Sequence, residues 1–151
     1  MINAAQIEAD ALIFDLKANY ERLGLRASGK WAEMLTSEIK QSNSVLHIII
    51  KRLNYTQWIE NGRKGGKYPP KEVIEDWVKE KNLSYDIPFN SLVFLIRRKI
   101  ATKGWTVPNE HNAGGLVSDV ITNKRMNEIV VKVGGSYLAQ KTSDVLKQFK
   151  A

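Results

Sequence analysis

The segment Asn61–Lys67, which reads Asn-Gly-Arg-Lys-Gly-Gly-Lys, restricts the fold of this chain more than any other stretch of it. Glycine and asparagine adopt positive φ at little cost, so the backbone turns sharply here or stays mobile. Pro69 and Pro70 follow, and proline suits the first position of a helix, where no N–H donor is needed. The pattern therefore predicts a mobile basic loop over residues 61–68, followed by a helix that starts at Pro70.

An amphipathic helix is predicted at the N-terminus. Asn3 is placed to cap this helix, and Gln6 stands where the second member of a capping box belongs. The apolar stripe of the helix is wide enough to face the core or a partner. The stripe consists of Ile7, Ala11, Phe14 and Ala18, widened by Ile13, Leu16, Tyr20 and Leu23. Gly24 follows at the position of a left-handed C-terminal cap.

A β-hairpin is predicted between this helix and the glycine-rich loop. Residues 30–40 fit a helix as well as a strand, because their apolar residues recur at both spacings. The run Val45–Ile50 is rich in β-branched side chains, and it is too short and too polar at its flanks for a free helix. With Gln41–Asn43 as the turn, the second strand covers residues 44–55, and an aromatic strand end, Tyr55–Glu60, leads into the loop.

Two helices are predicted after the loop. The first covers about residues 70–81, ends at Asn82 and buries a narrow apolar stripe. That stripe is Val73, Ile74, Trp77 and Val78. The second helix, Ser91–Lys103, is capped by Asn90 and stops at Gly104. It turns Leu92, Val93, Leu95, Ile96 and Ile100 inward and Arg97, Arg98, Lys99 and Lys103 outward.

The remaining sequence predicts a loop and a last helix. Residues 104–115 are rich in glycine and asparagine, and irregular stretches of this length inside a small domain are often functional. Apolar residues then recur at helical spacing over residues 122–149. The pair Gly134–Gly135 costs a helix roughly 2 kcal/mol against alanine, so a kink or a turn between two short strands remains an alternative.

These elements predict a single α+β domain over residues 1–151, with an N-terminal helix, a central antiparallel β-hairpin or small sheet, and several further helices. The hydrophobic fraction of 43% and the charged fraction of 26% are those of an ordinary globular protein. The chain has no cysteine, which excludes disulfides and thiolate metal sites and fits a reducing compartment such as the cytoplasm. No apolar run approaches the roughly 18 residues of a membrane helix, so no membrane partner is expected.

The formal net charge of +7 favours an anionic partner, such as nucleic acid or an acidic protein. A soluble protein with a lysine-rich surface is an equally simple interpretation. Divided after Glu75, the chain carries 11 basic and 9 acidic residues before and 12 and 7 after, so the excess is spread along the sequence. That distribution argues against a detachable nucleic-acid-binding arm.

The titratable residues indicate no catalytic or metal-binding constellation. His47 alternates within an apolar strand, which is typical of a surface or hydrogen-bonded core residue. His111 lies in the later loop with no indicated partner, and no metal motif of the HExxH or carboxylate-loop type occurs. Glu72 and Asp76 share a helix face, but such a pair is far more often solvated than catalytic. We therefore predict a non-enzymatic protein without a cofactor or metal.

The glycine-rich loop fails the known phosphate-cradle patterns. A Walker A loop needs glycine where Asn61 stands and serine or threonine where Tyr68 stands, and a dinucleotide fingerprint needs glycine at Lys64. The cations of the region could instead hold a phosphate backbone while its aromatic rings stack bases. They are Arg63, Lys64, Lys67 and Lys71, interleaved with Trp58 and Tyr68. A small basic nucleic-acid-binding protein is therefore the alternative to an assembly protein.

The run Tyr55–Leu83, YTQWIENGRKGGKYPPKEVIEDWVKEKNL, resembles the head–tail joining, or tail-completion, proteins of tailed bacteriophages. In these proteins an N-terminal helix and a hairpin lead to an aromatic-rich segment that ends in a glycine-rich basic loop, and helices follow. The resemblance is most specific over Trp58–Leu83 and continues more loosely through Phe94–Lys103 and Gly114–Val120, so that it covers roughly half of the chain. The pair Gly134–Gly135 departs from the family's last helix.

The resemblance implies a structural virion protein that forms a homo-oligomeric ring in the neck, between the portal with its adaptor and the tail. Its partners would be copies of itself, the portal or adaptor, and a tail-tube or tail-terminator protein, with genomic DNA in the lumen as a further partner bound without sequence specificity. The chain would lie in the virion, and in the cytoplasm of the bacterial host during assembly. The basic loop would extend across a subunit boundary. The predicted interface residues are Trp58, Asn61, Gly62, Arg63, Lys64, Gly65, Gly66, Lys67 and Tyr68.

Overall fold

The computed structural model describes residues 1–43 and 45–148 and confirms the predicted fold class, a mixed α+β chain. The helices of the described residues are α1 (Ile2–Arg22), α2 (Lys30–Glu33), α3 (Thr56–Asn61), α4 (Lys71–Glu80), α5 (Phe89–Lys103) and α6 (Asn123–Gln148). The strands are β1 (Thr36–Ser42), β2 (Val45–Lys51), β3 (Gly62–Arg63) and β4 (Trp105–Thr106). Strand β1 pairs with β2, and β3 pairs with β4.

Helix α1 starts earlier than predicted. Its N-cap is Met1, so Asn3 lies inside the first turn and the predicted capping role of Asn3 is wrong. The end of the helix agrees with the prediction, because Gly24 has φ of 64° and donates its N–H to the Glu21 carbonyl oxygen at 3.0 Å. Glycine permits this left-handed closure without strain.

The buried face of α1 agrees with the predicted stripe only in part: Leu16 and Tyr20 are buried as predicted, but the other side of the stripe is exposed. Ile7 is 66% exposed and Phe14 is 71% exposed. The buried residues are Ala5, Glu8, Ala9, Leu12, Leu16, Asn19 and Tyr20. Apolar residues recur at helical spacing on both sides of α1, so periodicity alone does not select the buried side. The alanine side allows the hairpin and α6 to approach the helix closely, and the bulkier Ile7 and Phe14 stay outside.

The predicted β-hairpin is confirmed. Strands β1 and β2 are antiparallel, and their register places Thr36 opposite Lys51 and Ser42 opposite Val45. Both strands contact α1, and Ile50 of β2 packs against the core cluster beneath that helix. The hairpin therefore forms a layer over the N-terminal helix.

Two details of the hairpin differ from the prediction. Residues 30–40 are not one element, because Lys30–Glu33 form the short helix α2 and strand β1 starts after it. The turn lies later than predicted: Ser42 still pairs in β1, and Asn43 follows with φ of 52°. Ser44, the predicted first residue of the second strand, lies outside the described residues.

The larger hydrophobic cluster joins α1, α2 and the segment after β4. Its buried members are Leu16, Tyr20, Trp31, Leu35 and Leu116. The rings of Tyr20 and Trp31 have centroids 4.8 Å apart. Trp31 also donates its indole N–H to Thr56 Oγ1 at 2.9 Å, and both side chains are buried. This bond ties α2 to the start of α3, because a buried indole N–H needs an acceptor.

A second hydrophobic cluster joins α4 and α5. Its buried members are Ile74, Val78, Leu92 and Val93, with Leu83, Ile96 and Ile100 packed around them. Helix α4 starts at Lys71, one residue after the predicted start, and Asn82 with φ of 49° follows its end as predicted. Helix α5 stops at Gly104 as predicted, but its N-cap is Pro88, so the predicted cap Asn90 lies inside the helix.

Only half of the predicted α4 stripe is buried. Ile74 and Val78 pack against α5. Val73 is exposed and Trp77 is 39% exposed, so the prediction that Trp77 belongs to the core is wrong. Among the described elements, α5 is the one with which α4 makes extensive contact, and a single neighbouring helix covers only a narrow strip.

Helix α6 runs without interruption through Gly134–Gly135, which confirms the helical interpretation of this region over a kink or a pair of strands. Nothing lies within 4 Å of a Cβ added to either glycine, so both face open space. The predicted continuation of the helix to Phe149 lies outside the described residues.

Charged groups attach α6 to α1. Arg125 Nη1 lies 3.4 Å from Glu8 Oε2, and Lys132 Nζ lies 2.9 Å from Glu8 Oε1. Arg125 Nη2 also lies 3.5 Å from Asp15 Oδ2. Ile129 is the one buried residue of α6 in the described part of the chain. Because Glu8 is buried, removal of its cationic partners would leave an uncompensated charge, which typically costs about 3–5 kcal/mol.

Substitution of alanine for Gly24 and, separately, for Gly134 tests the backbone conformation at the end of α1 and within α6. Neither added Cβ meets an atom within 4 Å, so the two sites differ in backbone alone: Gly134 is helical, and Gly24 has φ of 64°. We expect Gly134→Ala to raise the free energy of unfolding by about 1 kcal/mol. Gly24→Ala should lower it by about 1–2 kcal/mol, with both values measured by urea denaturation. A destabilising Gly134→Ala would contradict the continuous helix.

Candidate interaction surface at residues 58–68

Residues 58–68, the predicted interface, do not form one extended loop. Thr56–Asn61 are helix α3 rather than the predicted aromatic strand end, and the next two residues form β3. Strand β3 is antiparallel to β4, with Gly62 opposite Thr106. The segment is therefore folded against its own chain, and the expectation of a loop that extends away from the subunit is corrected.

Two glycines allow these strands to meet. Gly62 has φ of 79°, and a Cβ there would collide with the carbonyl oxygen of Trp105. Gly104 has φ of 64°, and a Cβ there would overlap the carbonyl oxygen of Arg63 and lie 2.7 Å from Gly65 N. Residues with a side chain rarely adopt this conformation. Gly62 and Gly104 thus allow two stretches of backbone to approach each other closely.

The residues after β3 lie along the C-terminal half of α5. Gly66 donates its N–H to the carbonyl oxygen of Ala101 at 2.6 Å. A Cβ on Gly65 would lie 2.8 Å from the next carbonyl oxygen of α5. Further along, Arg97 Nε donates to the carbonyl oxygen of Pro69 at 2.9 Å. The loop is therefore fixed at both ends to α5.

Two aromatic rings of the predicted interface hold arginine side chains. The Arg63 guanidinium lies over the Trp58 ring, 4.9 Å from its centroid, and donates to the Lys67 carbonyl oxygen at 2.8 Å. The Arg97 guanidinium lies over the Tyr68 ring at 5.5 Å. Each arginine is thus oriented both by an aromatic face and by a backbone carbonyl.

Glu60 anchors this region to the segment that follows β4. Its carboxylate accepts hydrogen bonds from the Val117 N–H at 2.8 Å and from Ser118, through the N–H at 3.2 Å and Oγ at 2.6 Å. Asn112 Nδ2 donates to the Ile59 carbonyl oxygen at 2.7 Å beside it. Neither Glu60 nor Asn112 stands out in the sequence as a structural anchor, because no local pattern indicates partners more than fifty residues away.

The structure brings together two stretches of chain that contain no carboxylate. Residues 61–71 and 87–109 hold eight Lys and Arg and no Asp or Glu, out of 23 Lys and Arg and 16 Asp and Glu in all. The rest of the chain carries 15 basic and 16 acidic residues, so the net charge of +7 arises entirely in these two stretches. Because the first stretch lies along α5, cations that are far apart in the sequence become neighbours.

We call these eight cations the basic region. They are Arg63, Lys64, Lys67, Lys71, Arg97, Arg98, Lys99 and Lys103. Within the described residues, Lys71 is the one member that forms a salt bridge, with Glu75 at 2.9 Å. The other members have no carboxylate within 4.0 Å in that part of the chain. Their charge is therefore available to an anionic partner.

The other titratable residues considered from the sequence do not converge on this region. His47 and His111 are exposed, and His111 Nε2 lies 3.1 Å from a carboxylate oxygen of its neighbour Glu110. Glu72 and Asp76 are exposed on α4. Among the residues that the structure describes, no group of three or more His, Asp or Glu is placed to hold a metal ion. No helix in the described ranges has the length and apolar character needed to cross a membrane.

No protein-family model, curated protein or solved structure matches this chain. The resemblance of Tyr55–Leu83 to bacteriophage tail-completion proteins therefore stays a prediction from the sequence.

The pKa of Glu60 lies below its ordinary value. Partial burial acts to raise it, but hydrogen bonds from Ser118 and from the backbone N–H groups of Val117, Ser118 and Leu116 outweigh that effect. Because the pKa is lowered on folding, the Glu60 carboxylate stabilises the native state at neutral pH. This contribution is lost as the pH falls through the lowered value.

Glu60→Gln is expected to destabilise the protein at neutral pH by about 1–3 kcal/mol, the typical range for hydrogen bonds to a charged group. The carboxamide NH2 cannot accept the bonds that the second carboxylate oxygen accepts. The difference between wild type and variant should shrink in acid, measured by urea denaturation from neutral pH to about pH 3. A difference that stays constant over this range would contradict the assigned role of the carboxylate.

Proposed function

We propose that this chain is a non-enzymatic structural protein of a tailed-bacteriophage virion, a tail-completion or head–tail joining component that forms a ring in the neck. Support from the sequence comes from Trp58–Leu83, which begins with the unusual string Trp-Ile-Glu-Asn-Gly-Arg. The structural observation that carries the assembly role is the apolar surface that α1 and α6 leave exposed.

Helix α6 presents apolar side chains that the described part of the chain does not cover. Val131 is 73% exposed, Leu138 is 65% exposed, and Val145 continues the series. These three residues recur every seven positions, which is the spacing of a narrow seam between two packed helices. From Tyr137 to Gln148 every residue of the helix is exposed.

A helix of this kind gains most of its stability from packing. An isolated helix as short as the exposed segment Tyr137–Gln148 is marginal in water. The pair Gly134–Gly135 weakens α6 by roughly 2 kcal/mol against alanine. A partner that covers the seam would offset this cost. The exposed half of α6 is therefore suited to a subunit that is completed on assembly.

Helix α1 offers a second exposed apolar surface. Ile7 and Phe14 are exposed on it. The two helices run antiparallel: the N-terminal nitrogen of Met1 lies 3.4 Å from Gln140 Oε1, while Arg125, near the start of α6, pairs with residues further along α1. In a closed ring, one surface of each copy meets a different surface of the next. We place the α6 seam of one copy against the Ile7 and Phe14 surface of its neighbour.

The proposed contact between copies thus moves from the predicted loop to the helices. Residues 61–68 are folded onto α5 and are no longer needed to bridge two subunits. The further partners in this role are the portal or its adaptor on one side and a tail-tube or tail-terminator protein on the other. The chain would occupy the neck of the virion and would be assembled in the bacterial cytoplasm.

The assembly role predicts that the purified chain forms closed oligomers and that these depend on α6. Val131→Gln combined with Leu138→Gln should lower the oligomer fraction strongly, because it makes the seam polar while glutamine keeps a good helix propensity. Light scattering coupled to size-exclusion chromatography measures the mass, and electron microscopy shows whether the oligomers are rings. Circular dichroism should show that most of the helix content is retained, with any loss no larger than the exposed half of α6 accounts for.

The matched control is Val73→Gln combined with Tyr85→Gln, which replaces apolar side chains that are also exposed but lie outside α1 and α6. The control should assemble like the wild type. A wild-type chain that is monomeric at every concentration, or a control that dissociates as far as the α6 variant, would overturn the proposed contact. Labelling of virions with an antibody to the chain then tests whether it lies at the head–tail joint.

A further inference from the structure

The basic region has features that the assembly role leaves unexplained. The entire net charge of the chain lies in residues 61–71 and 87–109, which the fold sets side by side. The members on α5 lie outside the apolar stripe with which that helix packs on α4. Lys64, Lys67 and Lys103 are exposed at or beside the contact between the two stretches. A concentration of like charge of this kind destabilises the folded chain by self-repulsion unless an anion is bound.

We infer that the basic region binds the phosphate backbone of double-stranded nucleic acid without reading its sequence. The family resemblance implies DNA in the lumen of a neck ring, whereas this inference rests on the charge and geometry of the basic region and does not depend on the neck role. The contacts of Arg63 and Arg97 also leave their guanidinium groups oriented before any ligand arrives. A guanidinium that is already oriented loses little conformational freedom when it binds a phosphate.

The dimensions of α5 fit the charge spacing of a duplex. Arg97 and Lys103 are six residues apart, which is about 9 Å along a helix axis. Duplex DNA carries one charge per roughly 1.7 Å of its axis, so about five phosphates fall within that length. The cations of α5 therefore span a length that covers several phosphates of one stretch of duplex.

The composition of the region favours a nucleic acid over an acidic protein. Five of its eight cations are lysine, and the residues between Arg63 and Tyr68 carry no apolar side chain. Protein–protein interfaces are depleted of lysine and are centred on apolar or aromatic anchors, whereas protein–DNA interfaces are more polar and more positive. The rings of Trp58 and Tyr68 each hold an arginine on one face, which favours phosphate contacts over base stacking.

The test compares two variants of equal net charge. Lys64→Gln, Lys67→Gln and Lys103→Gln together remove three exposed lysines from the basic region. Lys30→Gln, Lys124→Gln and Lys147→Gln together remove three exposed lysines from other elements and serve as the control. Binding of the full chain to two fluorescein-labelled DNA duplexes of unrelated sequence is measured by fluorescence anisotropy over a series of salt concentrations.

The wild type should bind both duplexes equally, with an affinity that falls steeply as salt rises, because each neutralised phosphate contributes about −0.9 to the slope of log K against log salt. The basic-region variant should show a slope smaller by about 1 for each lysine that contacts phosphate, and the control should retain the wild-type slope. Circular dichroism and urea denaturation establish that both variants are folded.

Three outcomes would overturn the inference. The first is no salt-dependent binding by the wild type, which would assign the region to an acidic protein or leave it a solvated surface. The second is an equal loss in both variants, which would show a general charge effect. The third is binding to phosphatidylserine vesicles without binding to either duplex. None of these outcomes bears on the oligomer test of α6, so the two proposals fail or stand separately.

Discussion

The close approach of two backbone stretches at Gly62 and Gly104 is the constraint on which most of this structure depends. Where β3 passes β4, neither position has space for a Cβ, and both have positive φ. That approach directs the residues after β3 along α5, and it brings α3 against the segment that follows β4. Glu60 and Asn112 then secure the contact through hydrogen bonds to partners more than fifty residues away. At Gly62 and Gly104, glycine therefore allows a close contact between two backbone stretches.

The same constraint determines the electrostatics of the molecule. Because residues 61–71 lie on α5, two acid-free stretches of sequence become one region of positive charge. Many carboxylates elsewhere are engaged in ion pairs or hydrogen bonds within the chain, as Glu8 is with α6 and Glu60 with the backbone of Val117. Within the described residues, seven of the eight members of the basic region therefore form no salt bridge, while the rest of the chain carries 15 basic and 16 acidic residues.

The hydrophobic side chains fall into a buried set and an exposed set. Two small clusters, one around Trp31 and one between α4 and α5, account for most of the buried apolar residues of the described chain. Ion pairs join helices α1 and α6, and bulky side chains of both helices, such as Phe14 and Leu138, stay exposed. Exposed apolar surface of this kind is typical of a protein–protein contact, and it is the basis of the proposed contact between copies.

The sequence by itself determined the local features of this protein. Backbone preferences of single residues predict where three helices end, at Gly24, Asn82 and Gly104. Short-range periodicity predicts the β-hairpin and, with the helices, the α+β class. The tertiary structure alone decided which side of α1 is buried, that Trp77 is exposed, that residues 61–68 fold back onto α5, and that the positive charge is concentrated. These outcomes depend on contacts between residues far apart in the chain, and no local pattern of residues encodes them.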